Sequence, residues 1–152
     1  MVYYFAYGSN MDAAQMRERC PSARAVGIAR FPDHRLAFTR MATTRRCGVA
    51  DAVPSPGDDV WGVVYEVEAG ELAYLDECEG VDVGAYVREA RAVRLKATGG
   101  EGVVTAEVYF VRERAAREFK TNAAYKTILL AAAGYWDLPA SYVEALEDLE
   151  TA

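Results

Sequence analysis

The chain has 152 residues, 52% hydrophobic and 26% charged, which suits one folded domain spanning residues 1–152 with a sizeable core and argues against disorder. Its formal net charge of −6 lacks the basic excess that neutralises a phosphate backbone, so no nucleic acid is expected as a partner. No apolar run approaches the ~20 residues of a membrane-spanning helix, no basic segment precedes the short N-terminal apolar stretch, and Cys20, Cys47 and Cys78 are odd in number and widely spaced. A cytoplasmic protein with reduced thiols and no membrane association is the expectation. With His34 as the single histidine and no cysteine pair at zinc-site spacing, no metal centre is expected either.

In chain order, Val2–Ala6 is an aromatic-rich apolar run of strand length. Tyr7-Gly8-Ser9-Asn10 breaks it, and Asp12–Arg19 follows as a short helix. Ala25–Ala29 and Arg35–Thr39 are predicted strands with a bend at Pro32-Asp33, and Gly48–Val53 is a further strand. Pro54-Ser55-Pro56-Gly57-Asp58 carries turn chemistry. Trp61, Val63, Tyr65 and Val67 alternate along a strand over Val60–Val67. Gly70–Glu79 is predicted helical and closed by Gly80. Tyr86–Leu95 and Val103–Val111 flank Gly99-Gly100 as paired strands, the second with Val104, Ala106, Val108 and Phe110 on one face. Tyr125, Ile128, Leu129 and Ala132 then recur at helical spacing, and Ser141-x-x-Glu144 has the form of a capping box opening a last helix. Many short strands with few helices predict an α+β domain built on a small mixed β-barrel with flanking helices.

Two places carry chemistry. Where Tyr7-Gly8-Ser9-Asn10 leaves a strand and enters a helix, glycine permits close backbone approach and successive N–H groups suit an anion; an ordinary helix cap is the competing reading. Ser9 as a nucleophile needs a base, and nothing in the sequence ties His34 to it. The second place is Glu79. It lies at i+7 from Leu72 and i+4 from Leu75, so it continues the apolar stripe of its helix. An inward carboxylate at a helix C-terminus is pushed towards its protonated form by burial and by the dipole, which suits a proton shuttle. A solvated Glu79 beyond an earlier helix end remains open. Arg45-Arg46, the Arg40–Arg46 segment and Arg112–Arg117 read as solvated surface, although the Arg40–Arg46 segment could meet a second carboxylate.

Three segments together resemble the γ-glutamylcyclotransferase family: Tyr7-Gly8-Ser9-Asn10-Met11 after the first strand, Pro56 to Tyr65, and Leu75-Asp76-Glu77-Cys78-Glu79-Gly80 followed by Tyr86. Tyr125-Lys126 matches a further position, and the resemblance runs from Tyr3 to about Pro139. It implies a small mixed β-barrel, Glu79 as the acid–base residue, and Tyr7, Gly8, Ser9, Asn10, Tyr86 and Tyr125 around the substrate. It implies no metal and no cofactor, and a small-molecule γ-glutamyl substrate converted to 5-oxoproline. The alternatives are a relative acting on a specialised γ-glutamyl adduct and a non-catalytic small-molecule-binding protein of the same fold. A homodimer is an open expectation, common among small enzymes.

Overall fold

The computed structural model describes residues 1–152. Five strands close into a barrel in the order β1-β3-β2-β4-β5. They are β1 (Val2–Ala6), β2 (Arg24–Ala42), β3 (Cys47–Val67), β4 (Tyr86–Ala97) and β5 (Gly100–Val111). β1 runs antiparallel to the end of β3, from Val2 opposite Val67 to Ala6 opposite Val63. It meets β5 in parallel at Tyr4 and Glu107, and this contact closes the ring. β4 and β5 form a hairpin around Gly99 and Gly100, both at positive φ. The predicted mixed barrel with flanking helices is the observed architecture.

The middle of the chain differs from expectation in an informative way. The four strands predicted between Ala25 and Val67 are two long ones that bend together. Pro32 pairs with Asp59 and His34 with Pro54, so Ser55–Asp58 bulge out of β3 while pairing resumes on both sides. Gly57 takes φ 84° and donates its N–H to Asp33 Oδ1 at 3.0 Å, with Asp33 itself at φ 61°. The Pro-Ser-Pro-Gly-Asp chemistry is therefore real turn chemistry. Its outcome is a bulge and not a strand end, because β2 carries the complementary bend. Nor is β3 one-sided: Val60 and Val64 are as fully buried as Val63 and Val67, since helices cover what the barrel leaves outside.

The helices are α1 (Ala13–Arg19), α2 (Leu72–Cys78), α3 (Ala123–Tyr135) and α4 (Ala140–Glu147). Asp12 caps α1 by accepting from Ala14 N–H, and Asn122 caps α3 by accepting from Tyr125 N–H at 2.8 Å. Tyr125, Leu129 and Ala132 are buried as the helical spacing predicts, Ile128 half so. The predicted Ser141–Glu144 capping box does not form. Pro139 occupies the cap position with its φ preset at −53°, and the Tyr142 and Val143 N–H groups bond its carbonyl. The helix thus begins at Ala140, and Ser141 falls inside the first turn.

Candidate active site

β1 ends at Ala6, and the chain turns through Tyr7 and Gly8 into a single 3₁₀ turn, Ser9–Met11. The Met11 N–H closes this turn on the Gly8 carbonyl at 3.1 Å. The N–H groups that precede it, on Gly8, Ser9 and Asn10, find no partner within such a turn. Gly8 is closely packed: a Cβ there would lie 3.1 Å from the Tyr125 hydroxyl and 3.4 Å from the Ala50 Cβ, so the hydroxyl would have to give by a few tenths of an ångström.

Asn10 is the hub of this loop and is almost fully buried. Its Nδ2 donates to the Tyr4 hydroxyl at 2.9 Å and to Glu79 Oε1 at 3.0 Å. Its Oδ1 accepts from Gln15 Nε2 and Arg19 Nη1, both at 2.9 Å. All four polar positions of the amide are used, so its orientation is unique. Gln15 and Arg19 reach it from one face of α1 at i, i+4 spacing. Ser9 Oγ accepts from Gln15 Nε2. His34 is stacked on Phe31 at 3.8 Å, with Nδ1 against the Pro32 carbonyl, and gives Ser9 no base.

Glu79 sits just past α2. Its N–H still bonds the Leu75 carbonyl, and Gly80 leaves at φ 68°. The helix does end early, at Cys78, yet the side chain is only 18% exposed. The stripe that buries Leu72 and Leu75 extends one turn further through a left-handed glycine stop. Burial pushes the Glu79 carboxyl above the usual carboxylate range; Arg19, with Nη1 3.6 Å from Oε1, and the Asn10 hydrogen bond pull it back. Asp76 turns away from it to Arg88 and the Tyr109 hydroxyl.

Between Ala37–Asp51 and Arg40–Val49 the β2–β3 register slips, so two residues of β2 face Ala50. That bulge turns both backbone groups of Ala50 to tyrosines: the Tyr86 hydroxyl donates to its carbonyl at 2.7 Å, and its N–H donates to the Tyr125 hydroxyl at 3.3 Å. Tyr86 thereby presents lone pairs, whereas Tyr125 keeps a free O–H. Burial raises Tyr125 to about 12, so it stays protonated at neutral pH. The Tyr7 hydroxyl donates to the Tyr109 carbonyl.

All seven residues singled out from sequence line one inner chamber of about 40 Å³, completed by Tyr4, Ala50 and Tyr109. It opens through Ser9, Glu79, Tyr86 and Tyr125 into a vestibule of about 250 Å³, whose walls include Arg19, Arg40 and Arg45.

Residues 4–138 match the family model of gamma-glutamyl cyclotransferase, AIG2-like. The chain belongs to the γ-glutamylcyclotransferase family. It is 35% identical to human gamma-glutamylcyclotransferase over 152 residues, covering 97% of this chain and 78% of that one, and 34% identical to the mouse protein over the same shares. A solved structure of a gamma-glutamyl cyclotransferase superposes with a TM-score of 0.91 at 33% identity, covering 99% of this chain and 89% of that one.

As a γ-glutamylcyclotransferase family member, the chain shows features around the motifs that its sequence alone did not reveal. Gln15 and Arg19 were legible only as one face of α1; their spacing directly after the loop was the available signal. Tyr4 and Tyr109 gave no signal, because they reach the chamber through barrel closure. Arg40 and Arg45, expected as solvated loop residues, are half-buried on the vestibule wall. The cause is the turn after β2, which folds Arg45 over the Tyr125 ring at 5.2 Å.

Proposed function

We propose that this protein is a γ-glutamylcyclotransferase that converts a γ-glutamyl amino acid or amine into 5-oxoproline and the free amine, with Glu79 as proton relay. The observation that carries this reading is the Glu79 carboxylate, largely buried, oriented by Asn10 and facing a chamber with no competing nucleophile–base pair.

The substrate's α-nitrogen attacks its own γ-carbonyl carbon. A C–N bond forms, the five-membered lactam closes, and the original amide C–N bond breaks. Two protons pass in net from the α-ammonium to the leaving nitrogen, which departs as an ammonium; Glu79 takes and returns them. The attack is intramolecular, so holding the folded conformer supplies much of the acceleration, up to ~7–11 kcal/mol for ideal alignment. The Gly8, Ser9 and Asn10 amides suit the α-carboxylate. The lone pairs of Tyr86 suit the α-ammonium before it is deprotonated. The free Tyr125 O–H suits the oxyanion, a donor whose loss typically costs ~10²–10³ in kcat.

Glu79→Gln keeps the bond from Asn10 and removes the proton relay. Incubated with a panel of γ-glutamyl compounds, wild-type protein is expected to release 5-oxoproline and the variant to do so ~10²–10⁴-fold more slowly. Near-native turnover by folded variant overturns the role of Glu79; free glutamate as the product overturns the reaction class.

A further inference from the structure

Glu79 lies where the inner chamber meets the vestibule. If the glutamyl half binds at the mouth of the chamber, against Glu79 and the Gly8–Asn10 amides, the leaving half lies further out in the vestibule. The charges there are uneven. Arg19 is committed to Glu79 and Asn10. Glu77 is exposed at the lip. Arg45 makes one hydrogen bond, to the neutral Gln15 Oε1 at 3.3 Å, and Arg40 makes neither a hydrogen bond nor an ion pair. Two half-buried guanidiniums thus face one cavity with no carboxylate of their own, in a chain that carries six more acidic than basic residues.

Elsewhere in the molecule half-buried arginines find acids: Arg30 holds Asp59 and Glu101, and Arg88 holds Asp76 and Glu107, whereas Arg17, Arg46, Arg94, Arg112 and Arg117, which have no acid partner, are exposed to water. A cation kept partly out of water without a partner is unfavourable, and guanidinium is the group suited to carboxylate geometry. A leaving amine would use neither arginine. A neutral amino acid would use one, through its α-carboxylate. A dicarboxylic amino acid would use both.

We infer that Arg40 and Arg45 form a subsite for a leaving group with two carboxylates, so that the preferred substrate is an acidic γ-glutamyl dipeptide. This rests on the proposed reaction for the placement of the two halves. One arginine takes the α-carboxylate of the leaving residue, the other its side-chain carboxylate. The subsite acts on specificity; Arg45 also helps hold the Glu79 pKa down, an effect common to both substrates that cancels in their ratio.

The test compares γ-glutamyl-glutamate with γ-glutamyl-glutamine, which differ by one charge at constant shape. For wild-type protein kcat/KM is expected to favour the acidic dipeptide roughly 10–100-fold, the worth of one charge-assisted hydrogen bond, with the ratio falling as salt rises. Of Arg40→Gln and Arg45→Gln, one is expected to collapse the ratio towards one and the other to lower both substrates together. Lysine at the ratio-determining position is expected to restore part of the preference. Equal turnover of the two dipeptides, or a ratio unmoved by both glutamine variants, overturns the subsite. The same ratio is read without chemistry as calorimetric Kd values on Glu79→Gln protein. Preferential binding of the acidic dipeptide with no 5-oxoproline from wild type keeps the subsite and rejects the reaction; equal binding rejects the subsite whatever the turnover.

Discussion

Glu79 is held between opposing influences, and the balance is set by residues close in space. Burial raises its pKa, while Arg19 and Asn10 lower it. In the proposed mechanism the free enzyme needs Glu79 ionised to accept a proton, so the acidic limb of kcat/KM against pH reports its ionisation. Removing the Arg19 charge disfavours the anion and raises the pKa. Arg19→Gln is therefore expected to move that limb to higher pH, with less change at pH values where Glu79 is ionised in both proteins. An unmoved limb, measured over the same range on folded variant, would show that the Arg19–Glu79 pair does not govern the ionisation. At this scale the loop and the acid were legible in sequence because each is a contiguous motif on a predictable element. Arg19 was legible only as a helix face, and Tyr109 not at all: its carbonyl reaches Tyr7 across 102 residues of chain.

Among the elements, the crossing of β1 and β3 leaves the least room. At Gly62 an added Cβ would stand 2.2 Å from the Ala6 carbonyl oxygen and 3.0 Å from Phe5 Cε1. Neither the backbone oxygen nor a packed aromatic ring yields easily. Gly62→Ala is expected to lose at least ~3 kcal/mol of unfolding free energy in urea, the upper end of overpacking costs, and to disturb the Tyr7–Asn10 loop that Ala6 feeds. A loss below about 1 kcal/mol would mean that β1 shifts freely relative to β3. Period-two and period-3.6 patterns marked most elements of this chain. They did not mark the bulges, because a bulge depends on the partner strand: Ser55–Asp58 carry turn residues, and only pairing with Pro32 and His34 makes them an excursion within one strand.

Across the whole molecule, one buried carboxylate ties the barrel to the segment that follows it. Asp51 on β3 is fully buried and accepts from Thr39 Oγ1 on β2, from Val111 N–H at the end of β5, and from Arg114 Nε at 2.6 Å. The segment after β5 then returns along β2, with Ala115 and Phe119 N–H bonding the Thr39 and Phe38 carbonyls beside the bulge at Ala50. Arg114→Ala leaves Asp51 buried with two neutral donors. Because Arg114 is partly exposed, the expected loss is on the order of 3 kcal/mol, the low end for breaking a buried pair. A shift of the urea midpoint at unchanged m-value would read it, and no shift would make the clamp dispensable. The Arg112–Arg117 stretch, read from sequence as solvated surface, is exposed throughout, and of its arginines only Arg114 reaches a buried acid.

The sequence by itself determined the periodicities that make most strands and helices, the acidic balance, the glycines that end elements, and the inward side of Glu79, since all of these depend on residues within a few positions of one another. Tertiary structure alone decided what surrounds that carboxylate. Closure of β5 on β1 brings in Tyr109, the slip of β2 against β3 turns Ala50 towards Tyr86 and Tyr125, and the end of β2 and the turn after it carry Arg40 and Arg45, respectively, from expected solvent to a cavity wall. The physical reason is that register between distant strands is set by how the whole barrel closes, and no local spacing encodes it.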